Sequence, residues 1–110
     1  MTLFRLIETL DLEILQEQYE DVEVDGAYTS DLLSDVMAHG HDSQVLITIQ
    51  SHKNTVAVAT LVGASAIIIC NNRPVPQDMI DAAQQEKIAI LLSPHDQFTI
   101  SGILYSLLHA

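Results

Sequence analysis

Residues 45–92 read VLITIQSHKNTVAVATLVGASAIIICNNRPVPQDMIDAAQQEKIAILL and contain three short apolar runs, at Val45 to Ile49, Ala66 to Cys70 and Ile88 to Leu92. Each run is continuous and rich in isoleucine, which is typical of strands buried on both faces of a parallel sheet. The runs recur about every 20 residues, which is enough for a strand and a crossover helix. The pattern predicts a parallel sheet with helical connections.

The connection between the second and third runs has the features of a helix. Pro76 suits a first helical position, acidic residues follow it, and Lys87 suits the negative C-terminal end. An apolar stripe between these ends would face the sheet. The segment from the second to the third run is therefore predicted to be a βαβ unit.

The connection between the first and second runs leaves two alternatives open. Residues 55–60, TVAVAT, alternate as a strand would, and Val45 to Val62 could form a hairpin whose turn is Ser51 to Asn54. Valine and threonine are also mediocre helix formers. We nevertheless favour a helix that is capped by Asn54 and stopped at Gly63, because adjacent parallel strands require a crossover.

Further elements are predicted on both sides of this region. Ser93, Pro94 and Asp96 have the layout of a helix cap before an apolar helical pattern formed by Phe98, Ile100, Ile103, Leu104, Leu107 and Leu108. A helix with Leu32, Leu33, Val36 and Met37 would be capped by Ser30 or Thr29 and end near His39 and Gly40. The first residues predict a short amphipathic helix (Phe4, Leu6, Ile7, Leu10), a strand (Leu12, Ile14, Leu15) and a second brief strand (Val22, Val24).

These elements predict a single α/β domain over residues 1–110, with a small, mainly parallel sheet of about four strands and flanking helices. The chain has 48% hydrophobic and 17% charged residues, a composition that argues against disorder. No linker or low-complexity tract marks a second domain. The fold class expected from the sequence is therefore α/β.

The charge balance restricts the partners. The chain has fifteen acidic and four basic residues, and its formal net charge is −11. Nucleic acid and an anionic membrane surface are unsuitable partners for so acidic a chain. No apolar run approaches the roughly 20 residues of a membrane span, and the N-terminus lacks the pattern of a secretory signal, so we expect a cytoplasmic protein. The single Cys70 permits no intrachain disulfide and is expected to be a buried structural thiol.

The candidate binding site lies in three loops that follow the predicted strands. In a parallel sheet these loops share the carboxyl edge, where α/β folds usually bind ligands. Two of the four basic residues and several helix N-termini would make a pocket for a small anion such as a nucleotide. The predicted ligand-binding residues are Ser51, His52, Lys53, Asn54, Asn72, Arg73, Ser93, His95 and Asp96. The alternative interpretation is that these are ordinary turn and cap formers.

No catalytic or metal-binding constellation stands out. His39, His41 and Asp42 are three potential ligands, but a turn after a helix explains them better than a zinc site. Ser93, His95 and Asp96 are too close together in one turn for a serine–histidine–carboxylate relay. A glycine-rich phosphate loop and a dinucleotide fingerprint are both missing, so we predict no enzyme activity, no cofactor and no metal.

Two segments resemble the DRTGG domain family: SDLLSDVM at Ser30 to Met37 and SPHDQF at Ser93 to Phe98. The resemblance extends roughly from Gly26 to the C-terminus and implies a small α/β domain similar to the N-terminal domain of HPr kinase/phosphorylase. It departs from the family where an Asp-Arg-Thr motif often follows a strand, because residues 51–54 here are Ser-His-Lys-Asn.

The resemblance implies a regulatory or adaptor role, commonly as a homodimer, in some members alongside nucleotide-sensing CBS domains and in stand-alone members beside iron hydrogenases. We therefore expect a non-catalytic domain that self-associates and possesses a site for a small anionic metabolite. Phe4, Leu10, Tyr105 and Leu108 would supply apolar surface for the dimer. The alternatives are a small phosphate-handling enzyme that uses His52 or His95, and an accessory protein of a hydrogenase or another metabolic enzyme complex.

Overall fold

A computed structural model describes all residues from 1 to 110 and contains five helices and one five-stranded sheet. The elements in chain order are α1 Leu3–Leu10, β1 Glu13–Gln16, β2 Gly26–Thr29, α2 Leu33–His39, β3 Gln44–Thr48, α3 Lys53–Val62, β4 Ala66–Ile69, α4 Gln77–Glu86, β5 Ala89–Leu92 and α5 Gln97–Leu108. The strand order is β1-β5-β4-β3-β2. All neighbours are parallel except β1, which runs antiparallel to β5. The α/β class with a mainly parallel sheet is confirmed, with five strands.

The three isoleucine-rich runs form the centre of the sheet in the predicted parallel arrangement. Val45 of β3 pairs with Ala66 of β4, which pairs in turn with Ala89 of β5. Side chains alternate along these strands between two apolar layers. Ile47 and Ile68 pack with residues of α1 and α5 on one face, whereas the opposite face packs against α3 and α4. Both faces of the sheet are covered, and this is why the runs are apolar at nearly every position.

The segment after β3 is a helix, as we favoured over a hairpin. α3 begins two residues earlier than predicted, because His52 and not Asn54 occupies the N-cap, where its Nδ1 accepts a 3.1 Å hydrogen bond from the amide of Asn54. The helix ends at Gly63, whose φ of 76° places it in the left-handed region that glycine adopts without strain. The sheet overrides the weak helix propensity, since β3 and β4 can pair in parallel only through a crossover.

Two helix ends differ by a residue or more from the predicted positions. Pro76 is the N-cap of α4, outside the first turn, whereas Lys87 lies at the C-terminal end as predicted, as the C-cap with φ 55°. The N-cap of α2 is Leu32, so neither Thr29 nor Ser30 caps this helix. Ser30 Oγ instead accepts a hydrogen bond from the amide of Leu32 at 3.2 Å, which shapes the turn before the helix.

The strand predicted around Val22 and Val24 was misplaced. Residue 23 only forms an isolated bridge to Thr2, and Val24 contributes a buried side chain to the core without a strand. The fifth strand is β2, Gly26–Thr29, which pairs in parallel with β3 at the edge of the sheet. Its sequence GAYT lacks a run of β-branched residues, so local propensity did not reveal it.

The pattern in α5 was partly wrong. Ile100 and Leu104 are buried against the sheet, but Phe98 is 88% exposed and Ile103 is 39% exposed. The N-cap is Asp96, whose Oδ1 accepts a 2.8 Å hydrogen bond from the amide of Thr99. None of the helices is both long enough and apolar enough to cross a membrane.

Candidate functional site

The predicted loops lie together at the carboxyl edge of the sheet, since β3, β4 and β5 point the same way. Backbone hydrogen bonds of 2.9 Å join the loop after β4 to the loop after β5, from Asn71 to His95 and from Asn72 to Ser93. The Ser51 hydroxyl donates a 2.6 Å hydrogen bond to the carbonyl of Pro74, which ties in the loop after β3. The three loops therefore form one connected surface.

A fourth loop, after β2, is held to the same edge by Asp31. Its Oδ1 accepts hydrogen bonds from Thr48 Oγ1 at 3.0 Å, from the amide of Ile49 at 2.9 Å and from Gln97 Nε2 at 2.9 Å. The Gln50 side chain also donates to the Asp31 carbonyl at 2.9 Å. Asp31 was not among the predicted site residues. Its position after a strand would have indicated it, had β2 been recognised.

The loop after β4 makes a tight turn that exposes a cationic residue. Asn71 and Asn72 have φ of 60° and 52°, the left-handed conformation that asparagine tolerates better than most residues. The Arg73 amide donates a 3.4 Å hydrogen bond to the carbonyl of Cys70 and closes the turn. The Arg73 side chain is exposed, as is that of Lys53 in the first turn of α3. Two cationic side chains thus project from neighbouring loops at this edge.

The same edge also contains two carboxylates, Asp31 and Asp96, which oppose the positive charge of Lys53 and Arg73. Asp96 begins α5, and the hydrogen bond from the Thr99 amide holds its pKa below the usual range. Asp31 is half-buried within its hydrogen bonds, so its negative charge stays close to the sheet. The N-termini of α3, α4 and α5 all lie at the same edge and contribute positive partial charge. The exposed side chains of Lys53 and Arg73 thus lie at the same edge as two hydrogen-bonded carboxylates and three helix N-termini.

Cys70 lies immediately beyond β4 and is fully buried. Burial, reinforced by the negative charges of Asp31 and Asp96, raises the pKa of its thiol to about 11. A thiol with so high a pKa is protonated near neutral pH and is a poor nucleophile. Cys70 is therefore a structural residue, as the sequence predicted.

The predicted site residues differ in accessibility. Ser93 is buried and Ser51 is half-buried, whereas the other seven are exposed: His52, Lys53, Asn54, Asn72, Arg73, His95 and Asp96. Only Lys53 and Asn54 line a cavity, a groove of about 460 Å³ between α3 and α4. A larger cavity of about 470 Å³ lies at the opposite, amino edge and is lined by Asp42, Glu86 and Lys87 among others. The three loops together present an open surface.

His39, the last residue of α2, interacts with Asp35 one turn earlier in the same helix. His39 Nδ1 lies 3.1 Å from Asp35 Oδ1, and Tyr28 donates a 2.6 Å hydrogen bond to the other oxygen of Asp35. The Tyr28 hydrogen bond, aided by His39, holds the pKa of Asp35 below its ordinary value. No group of three histidine, cysteine, aspartate or glutamate side chains is arranged to bind a metal ion.

No family model matches the chain, and neither does any curated protein. Among solved structures it is similar to the CBS and DRTGG domains of the regulatory region of Clostridium perfringens pyrophosphatase, in complex with the activator diadenosine tetraphosphate. The TM-score is 0.73 at 16% sequence identity, and the match covers 94% of this chain. It covers 45% of the other chain, so the present chain spans less than half of that structure. At this identity the similarity shows a common fold.

Proposed function

We propose that this chain is a non-catalytic regulatory domain of the DRTGG type, which binds a small phosphate-bearing ligand and acts as a homodimer. The observation that carries the proposal is that four parallel strands, β2 to β5, end at one edge where four hydrogen-bonded loops meet. Such an edge is the usual ligand site of open α/β sheets. The similar fold in a regulatory region that was solved with a dinucleotide activator supports a ligand of adenine-nucleotide class.

The charges of this edge suit a phosphate. Lys53 and Arg73 are two of only four cationic residues in a chain of net charge −11, and both are exposed beside helix N-termini. Backbone amides at helix N-termini and a guanidinium group both bind phosphate oxygens. Asn54, Asn72 and the imidazole of His95 add hydrogen-bonding groups. We assign the remaining predicted residues, Ser51, His52, Ser93 and Asp96, to shaping the loops.

The same contacts argue against an enzyme. Ser93 Oγ is buried, accepts a 3.1 Å hydrogen bond from the amide of His95 and makes no hydrogen bond to a histidine ring. Asp96 Oδ1 is engaged in capping α5. The Cys70 thiol, protonated near neutral pH, does not supply an activated nucleophile at this edge. A regulatory domain of this kind would act on a metabolic enzyme, in the same chain or in a complex.

Thermal denaturation with a panel of mono- and dinucleotides, including diadenosine tetraphosphate, tests the ligand. A ligand at one hundred times its dissociation constant adds about 2.7 kcal/mol to the free energy of unfolding. Calorimetry should then show at least tenfold weaker binding for Lys53→Ala and for Arg73→Ala. Arg5→Ala is the matched control, because Arg5 is an exposed cation on α1, outside the four loops. A panel that leaves the melting temperature unchanged, or equal losses in Arg5→Ala, would contradict the proposed site.

A further inference from the structure

The solvent-facing side of α5 is apolar as well as its buried side. Phe98 is 88% exposed, Tyr105 68% and Ile103 39%, although Ile100 and Leu104 on the opposite side of the helix are fully buried. The helix QFTISGILYSLL contains no charged residue. A helix that is apolar on all sides is normally buried on all sides, so this face lacks a covering partner in the isolated chain.

The exposed side of α5 also has a shape that a second helix can fill. Gly102 and Ser106 are one turn apart, and together with Phe98 and Ile103 they line a shallow depression that is open to solvent. A Cβ added at Gly102 would meet no atom within 4 Å, so nothing inside the chain requires glycine there. Glycine in a helix interior costs about 1 kcal/mol relative to alanine. The close approach of another chain would explain why glycine is tolerated at position 102.

Charge favours a second copy of this chain as the covering partner. A basic protein would be attracted to the acidic parts of the surface of a chain with net charge −11. It would not be attracted to α5, which has no carboxylate. Two identical acidic chains repel each other least where both are uncharged. The exposed face of α5 is such a surface, and its exposed aromatic residues are typical of interface cores.

The face is complementary to itself under twofold symmetry. In an antiparallel pair of α5 helices that cross at Gly102, Phe98 of one copy lies opposite Ser106 of the other, since both are four residues from Gly102. The protruding phenyl ring then covers the shallow stretch around Ser106, and the arrangement is repeated by symmetry. The missing side chain at Gly102 allows the backbones to approach where the helices cross.

We propose that two copies of this chain dimerise through antiparallel contact of their α5 helices, centred on Gly102, with Phe98 of each copy packed over Ser106 of the other. This inference rests on the self-association in the proposed function and assigns its surface. The surface differs from the four residues predicted from the sequence: Leu10 is buried, Leu108 packs against the core, and only Phe4 and Tyr105 are exposed. A single helix pair of about 18 Å length makes a small interface, so the dimer should dissociate at micromolar concentrations.

Sedimentation velocity over a range of concentrations tests the proposal with two variants, one that removes a side chain from the interface and one that adds a methyl group to it. Phe98→Ala removes the protruding ring and should weaken dimerisation at least tenfold. Gly102→Ala should weaken the dimer by filling the crossing point, while the better helix propensity of alanine raises the melting temperature of the monomer by about 5 °C. A more stable fold with a weaker dimer is a combination that general loss of structure cannot produce.

Leu61→Ala is the matched control, because Leu61 is 69% exposed on α3, across the sheet from α5. Leu61→Ala should leave the dimer unchanged, and unchanged association in both α5 variants would overturn the proposal.

Mild oxidation of Gly102→Cys should also give a disulfide-linked dimer, whereas Leu61→Cys should not. A wild-type chain that is monomeric at high concentration would overturn both this inference and the self-association, but not the ligand site. A monomer that binds neutral lipid vesicles through Phe98 would assign the face to a membrane.

Discussion

Asp31 Oδ1 accepts a 3.0 Å hydrogen bond from Thr48 Oγ1, and this contact joins the loop after β2 to the buried end of β3. The same oxygen accepts hydrogen bonds from the amide of Ile49 and from Gln97 in α5. One carboxylate thus holds an edge strand, a central strand and the last helix in position. The surface that we propose as a ligand site depends on this residue.

Asp31→Ala should destabilise the fold by about 2–3 kcal/mol, because it leaves the fully buried Thr48 hydroxyl and two further donors without their acceptor. Urea denaturation followed by circular dichroism measures the loss. Asp25→Ala is the control, since Asp25 is exposed and its side chain makes no hydrogen bond within the chain. Equal stability of the two variants would show that the Asp31 contacts contribute nothing to the fold.

The side chain of Gln16 stabilises the antiparallel edge. Gln16 is 4% exposed, and its Nε2 donates to the carbonyls of Ile88 and Gln18 at 2.9 Å and 3.0 Å. Gln16→Glu places a carboxylate against these two acceptors and should cost about 2–3 kcal/mol at pH 7. Part of the stability should return as the pH is lowered and the new carboxyl group takes up a proton.

Gln85→Glu provides the comparison for this pH dependence, because Gln85 is exposed on α4 and its side chain makes no hydrogen bond within the chain. Its free energy of unfolding should stay within about 0.5 kcal/mol of the wild type. If Gln16→Glu were as stable as Gln85→Glu at pH 7, the donor role of Gln16 would be refuted.

Cys70 should make the fold sensitive to alkali. Its pKa is raised from 9.0 to about 11 in the folded state, so the folded chain holds the thiol proton more tightly than the unfolded chain does. This contribution is complete below pH 9 and is lost as the pH rises to about 11, and its size is about 2–3 kcal/mol. Urea denaturation at several pH values measures it as the difference in slope between wild type and Cys70→Ala.

Tyr19 and Tyr28, whose pKa values are also raised, contribute equally to both of these proteins and cancel in the difference. The native thiol should also react with a chromogenic disulfide reagent only after unfolding. Rapid reaction of the folded protein at pH 8, or parallel stability curves for wild type and Cys70→Ala, would contradict the burial of Cys70.

The central strands could be predicted because the apolar pattern that identifies each of them lies within the strand itself. Apart from Thr48, every position of the three isoleucine-rich runs is apolar, which is typical of strands covered on both faces. The helix after β3 was predictable only indirectly, since Thr55 to Thr60 have the alternation of a strand. Its conformation follows from the parallel pairing of the strands on either side, which leaves a crossover as the available connection.

Other features depended on contacts that no local pattern records. β2 becomes a strand by pairing with β3, and the direction of β1 follows from its pairing with β5. Asp31 is important because three donors from distant segments meet at its side chain. The apolar pattern of α5 could not show that Phe98 would be exposed, because the residues of this helix are apolar on both sides.

From its sequence alone the chain was recognisable as an acidic α/β domain with three buried parallel strands whose polar loops gather at one edge. Periodicity and charge are properties of neighbouring residues, and they suffice for those conclusions. The tertiary structure decided which loops are joined, that the candidate site is an open surface, and which side of α5 faces solvent. These depend on the packing of segments far apart in the chain, where hydrogen-bond geometry and shape select one arrangement among several that the same pattern permits.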